Sequence, residues 1–135
     1  MKKKFNAGLI ATAFIFFMLA PSGFAANKSF SFSVNPSVND GVAYSAPNPK
    51  DDNEQNAYIY TTNHNIMDVD LFYYNVRSGA YPSSVTYTGY FRVTPYNASR
   101  IVKSYDFATA YKGNNLYLQA DTDRYNVYAE GYWYS

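Results

Sequence analysis

His64 is the chain's one histidine, set in Asn63-His64-Asn65, a polar turn between two strand-like stretches. A hydrolytic triad needs a nucleophile, such a base and an orienting carboxylate brought together. No Gly-x-Ser-x-Gly elbow is present to offer a serine. The expectation for His64 is an exposed loop residue without a catalytic role. Asp68 and Asp70 would share one face of a strand, and two carboxylates could serve a glycosidase, yet residues two apart on a strand stand about 7 Å apart. Nothing else in the sequence marks a cleft around them, so a solvated strand face is expected. Hard cations want six to eight oxygens, and Asp51, Asp52, Asn53 and Glu54, or Asp121 with Asp123, would supply several. Neither run has EF-hand spacing, and acidic residues are commonplace in turns. No metal or other cofactor is expected, and calcium stays open. These readings predict a protein that is not an enzyme.

The tyrosines stand out more. All sixteen follow residue 25, together with five phenylalanines and Trp133, so 22 of the last 110 residues are aromatic. A core of that size cannot hide them all. Tyrosine joins a large apolar face to a hydroxyl and suits sites that are half wet. Tyr128, Tyr132 and Tyr134 alternate with apolar residues at the C-terminal end, and Tyr90 and Tyr117 are expected to extend their row on neighbouring strands. Sugar rings stack on such a platform, as do peptides and the headgroup zone of a membrane. The competing explanation is cross-strand pairing worth roughly 0.2 to 1 kcal/mol per pair, with no ligand.

These side chains need a scaffold and a compartment. Lys2, Lys3 and Lys4 precede an apolar run from Leu9 to Ala20, Pro21 and Ser22 break it, and Gly23-Phe24-Ala25 offers small residues for cleavage after Ala25. The run is shorter than the roughly 20 residues a membrane-spanning helix needs. Residues 1–25 are therefore expected to be a removed signal peptide, and 26–135 a single secreted domain without a transmembrane anchor. Its 110 residues carry 8 basic and 10 acidic side chains, a net charge of −2 against the +1 of the whole chain. A slightly acidic domain without a basic stripe argues against nucleic acid, where phosphate neutralisation dominates affinity. With no cysteine, such a domain must be held by its own core, a habit of bacterial rather than eukaryotic secretion.

Strand signals recur about every ten residues, and no helical period follows residue 25. Ser29 to Val34 alternates serine with Phe30, Phe32 and Val34. Asp40-Gly41 predicts a tight turn and a short hairpin ending near Tyr44, and 45–56 reads as a loop. Ala57–Asn63, Asp68–Val76, Val85–Val93 and an irregular Ile101–Ala110 follow. Lys112-Gly113-Asn114-Asn115 turns the chain into Leu116–Ala120, and Tyr125–Tyr134 closes it with Val127, Ala129, Gly131 and Trp133 pointing inward. The clean alternation of Val85–Val93 makes it the expected organising strand. The whole predicts an all-β antiparallel sandwich of about seven strands, Ig-like or jelly-roll-like.

The words Leu116-Tyr117-Leu118-Gln119-Ala120 and Tyr128-Ala129-Glu130-Gly131-Tyr132-Trp133 resemble the C-terminal strands of short secreted Gram-positive proteins grouped as a domain of unknown function. The resemblance covers about the last thirty residues, and it implies export and little else. The cysteine-free, tyrosine-rich character is also shared with small secreted bacteriocins of the lactococcin type. The expected function is binding of cell-wall or other extracellular polysaccharide through Tyr128, Tyr132, Tyr134, Tyr90 and Tyr117. A bacteriocin-like or pore-assembling antagonist is the alternative, and the sequence leaves the oligomeric state open.

Overall fold

Phe30, Phe32 and Val34 alternate with serines, and this pattern makes β1 (Lys28–Val34) an edge strand with one dry side. The structure is a computed structural model that describes residues 27–80 and 84–135. The expected signal peptide lies outside the described residues. The other strands are β2 (Val42–Tyr44), β3 (Asn48–Pro49), β4 (Asn56–His64), β5 (Phe72–Arg77), β6 (Phe91–Arg92), β7 (Ile101–Ser104), β8 (Asn115–Thr122) and β9 (Val127–Tyr134). One single-turn 3-10 helix, Asn39–Gly41, is the only helical element among the described residues, and none of them belongs to a helix long and apolar enough to cross a membrane.

Two antiparallel sheets pack face to face. The first runs β1-β9-β4-β7 and the second β2-β8-β5-β6, with β3 pairing β8. Among the described residues nine strands replace the expected seven, because the 45–56 loop contributes β3 and because β2 is a strand of the second sheet. Between the sheets lie Phe30, Phe32, Ile59, Val127, Ala129 and Trp133 from the first, and Phe72, Tyr74, Val76, Leu116, Leu118 and Ala120 from the second. Tyr74 sits at the centre. Its ring lies 5.8 Å from Phe30 and 5.2 Å from Phe72, and its hydroxyl meets Thr61 Oγ1 at 3.0 Å, tying one sheet to the other.

Three expectations are corrected. The turn at Asp40-Gly41 forms, with Gly41 at φ 72°, but it opens no hairpin: β2 pairs with β8, and β1 with β9. A side chain at Gly41 would run into the Thr122 carbonyl, so this corner closes only on glycine. Asp68 and Asp70 do not lie on a strand. They belong to a turn in which Asp70 Oδ2 accepts the Met67 N–H at 2.7 Å, and Arg92 reaches the carbonyls of both.

The largest departure is Val85–Val93. Only Phe91 and Arg92 pair as a strand, and Thr86 makes an isolated bridge to Arg77. Between those pairings, residues 87–90 stand opposite only Asn75 and Val76, so the segment arches away from β5. Threonine side chains stand in for the missing ladder. Thr88 Oγ1 accepts the Val76 N–H at 2.9 Å, and Thr86 Oγ1 donates to the Thr88 carbonyl. The arch covers the outer side of β5, which is why Asn75 and Arg77 are buried there. The organising strands are instead β9 and β8, each central in its sheet.

Candidate functional site

Strand parity decides which rings face outward. On β9, Val127, Ala129 and Trp133 are buried inward, so Tyr128, Glu130, Tyr132 and Tyr134 share the outer face. On β4, Ala57, Ile59 and Thr61 are buried, which turns Tyr58 and Tyr60 outward. The register sets Tyr58 against Tyr134 and Tyr60 against Tyr132. Val102 of β7, opposite Tyr58 and 45% exposed, extends the same face. On the other flank β1 contributes Ser29 opposite Tyr132 and Ser31 opposite Glu130.

Three of these rings touch. Tyr60 and Tyr132 stack with centroids 4.9 Å apart and planes within 15°. Tyr134 meets both edge-on, at 6.1 Å from Tyr60 and 5.9 Å from Tyr132. Beside Tyr132 a shallow groove of about 520 Å³ runs between β1 and β4, lined by Ser29, Ser31, Thr62 and Glu130. Ser31 Oγ donates to Glu130 Oε1 at 3.2 Å. Tyr128 stands apart from the ring cluster. Its hydrogen bond to Glu130 holds that carboxyl below the usual range and raises the phenol, and Asn63 Nδ2 donates to its oxygen at 3.3 Å. Tyr58 donates to Glu54, which raises its phenol in the same way.

The structure therefore gathers Tyr128, Tyr132 and Tyr134 on one face, as their alternation predicts. It does not place Tyr90 and Tyr117 in that row. Both belong to the second sheet: Tyr117 is on the outer side of β8 opposite Arg77, and Tyr90 lies just before β6. Tyr58 and Tyr60 take their place. Their alternation around Ile59 is visible in the sequence, but the pairing of β4 with β9 is a long-range contact that the pattern does not encode.

The outer side of the second sheet holds a separate groove of about 720 Å³. Tyr44, Tyr90, Asp40, Asp121 and Asp123 line it, and Gln119 forms part of its floor. A separate, smaller pocket of about 260 Å³ is lined by Tyr73, Tyr90, Asp121 and Asp123. Gln119 donates to the Tyr90 hydroxyl at 2.9 Å. Burial raises Asp121 above the usual carboxylate range, and the Asp123 charge adds to this, while the Gln119 amide acts the other way.

The remaining candidates have structural partners. His64 Nδ1 accepts the Ile66 N–H at 3.2 Å, closing the turn after β4. Asp52 accepts from the Lys50 ammonium at 3.0 Å and from the Glu54 N–H. Among the described residues no three His, Asp or Glu side chains are grouped to hold a metal ion. Comparison of the chain with protein-family models, with curated proteins and with solved structures finds no match.

Proposed function

We propose that this is a secreted, non-enzymatic binding protein whose first sheet recognises cell-wall or matrix polysaccharide. The sandwich, of the kind that Ig-like and jelly-roll modules use, serves in this reading as a rigid support for one face. The supporting observation is the contiguous cluster of Tyr60, Tyr132 and Tyr134 next to a polar groove. A sugar ring has apolar C–H faces and a rim of hydroxyls. Stacked tyrosines suit the faces, while Ser29, Ser31, Thr62 and Glu130 suit the rim. A flat sheet holds these groups without ordering on binding, which lowers the entropic cost of association.

The test is retention of the purified protein on insoluble peptidoglycan and on polysaccharide resins. Retention is expected for the native chain and lost when Tyr128, Tyr132 and Tyr134 become alanine. Tyr60→Ala alone should weaken it, because Tyr60 supports the Tyr132 ring. Unimpaired retention by the triple variant would end this reading.

A further inference from the structure

Among the described residues β1 is the longest strand at the edge of either sheet. One flank pairs with β9 over seven consecutive residues, from Lys28 against Trp133 to Val34 against Val127, without a bulge. No other described backbone bonds to it, so the N–H and carbonyl of every second residue point out from the open flank. Such an edge is a template for another strand, and proteins blunt it with short length, lysine, proline or a bulge. The other edges are blunted in this way. β2 has three residues, β6 has two, β3 has two with Pro49 among them, and β7 has four with Lys103 among them. β1 has none of these in its interior, and its one charge is Lys28 at the first position.

A second, independent observation says what fits this edge. Ser29-Phe30-Ser31-Phe32-Ser33 reads the same in both directions about Ser31. Two copies of the strand, antiparallel about a two-fold axis at Ser31, therefore set serine against serine and Phe30 against Phe32 in both halves. The serines are small and exposed, while Phe30, Phe32 and Val34 are already buried in their own domain, so neither face has to rearrange. Lys28 falls opposite Val34, and the two lysines stand at opposite ends of the pair, about 20 Å apart. No like charges meet across the axis.

We infer that β1 is a self-association edge whose partner is a second copy of this chain, paired β1 to β1 and antiparallel about Ser31. The two four-stranded sheets then join into one of eight strands. An axis normal to the sheet keeps both outer faces on one side, so the tyrosine clusters of the two copies share a surface, with their Tyr132 residues about 20 Å apart by strand spacing. The second copy's outward serines extend the groove beside Tyr132, which Ser29 and Ser31 line. Assembly stops at two copies, because pairing uses up each β1 and the far edge, β7, is short and carries Lys103. An edge of seven residues buries less than the roughly 1,600 Å² of a standard interface, so the dimer is weak, with a Kd on the order of 100 µM. The inference does not depend on what the tyrosines bind.

The chain has no cysteine, so thiols introduced one at a time report the register. Ser31→Cys sets two thiols face to face at the axis, within reach of a disulfide. Mild oxidation should turn it into a covalent dimer about tenfold or more faster than Ser29→Cys, whose two thiols lie about 14 Å apart in the paired strands. Sedimentation equilibrium of the purified native protein, which needs no variant, should show a monomer at about 1 µM and a reversible dimer at about 1 mM. The Tyr128, Tyr132 and Tyr134 triple alanine variant should dimerise unchanged, which separates this edge from glycan binding. A native protein that stays monomeric at the higher concentration, equal rates of cross-linking at the two positions, or growth beyond the dimer overturns the inference.

Discussion

Gly131 of β9 lies against the backbone of Tyr60 of β4 so closely that a methyl group on its α-carbon would overlap the Tyr60 carbonyl oxygen. The same methyl would come within 2.9 Å of the Phe30 ring and of Thr61 Cα. Neither neighbour can yield cheaply, because one side is backbone and the other is core. The register of β4 shifts just beyond this point, between Thr61 and Asn63, and the Tyr60 ring leaves the strand here to stack on Tyr132.

Gly131→Ala should therefore cost about 3 kcal/mol, the upper end for overpacking a filled site, and should push Tyr60 away from Tyr132. Urea denaturation followed by the fluorescence of Trp133, the single tryptophan and fully buried, measures the first effect. A stability within about 0.5 kcal/mol of the native protein, the size of an ordinary surface change, would show that the strands have room.

Lys50 offers a different kind of prediction. Its side chain is wholly buried, its ammonium bonds Asp52 at 3.0 Å, and it stands 5.3 Å from the Tyr105 ring centroid. Removing the partner leaves a charge in the interior, which costs about 3 to 5 kcal/mol, whereas replacing both with apolar side chains is often neutral. Asp52→Ala should destabilise by about 3 kcal/mol, and Lys50→Met in that background should restore most of the loss. Equal destabilisation in the single and double variants would mean that the ion pair is not the cause. The loop 45–56 reads from the sequence as solvated because it is polar, and nothing in that pattern announces that its lysine turns inward.

The strands that were legible share one property: their two faces differ. Phe30, Phe32 and Val34 against three serines, or Val127, Ala129 and Trp133 against tyrosines and Glu130, leave a single orientation that buries the apolar set, and the structure has it. Val85–Val93 alternates equally well, yet only Phe91 and Arg92 of it pair as a strand. Hydroxyls decide the matter there, because Thr86 and Thr88 can bond the backbone themselves and relieve the chain of pairing. Half of the tyrosine platform was legible for the same reason: β9 declares its outward rings, while Tyr58 and Tyr60 join them only through a pairing some seventy residues distant in sequence.

That account makes Thr88 testable. Thr88→Val keeps the shape and removes the acceptor of the buried Val76 N–H, so the loss should be about 1 to 3 kcal/mol. Thr88→Ser, which keeps the oxygen, should lose less. Amide exchange at Val76 should quicken in the valine variant and not in the serine one, and the same exchange rate in both would remove the hydroxyl from the explanation.

Alkaline pH probes the core itself. Burial pushes the Tyr74 phenol far above its ordinary value, opposed in part by its bond to Thr61, and burial does the same at Tyr105, with the charges of Asp52 and Glu54 adding to it. Both folded-state values exceed the unfolded value near 10. Their contribution is therefore fully present below about pH 10, where both states keep the proton. It is lost as pH rises further, because the unfolded chain ionises first, by about 1.4 kcal/mol per pH unit for each phenol. Tyr105→Phe removes a hydroxyl that has no hydrogen-bond partner among the described residues. It should leave neutral stability unchanged or raised and lower the alkaline slope by about 1.4 kcal/mol per pH unit. Tyr74→Phe should cut the slope equally but cost about 1 kcal/mol at neutral pH, since it strands the buried Thr61 hydroxyl. Chemical denaturation between pH 7 and 11.5 reads both quantities, and a Tyr105→Phe protein with the native slope would place that phenol in water rather than in the core.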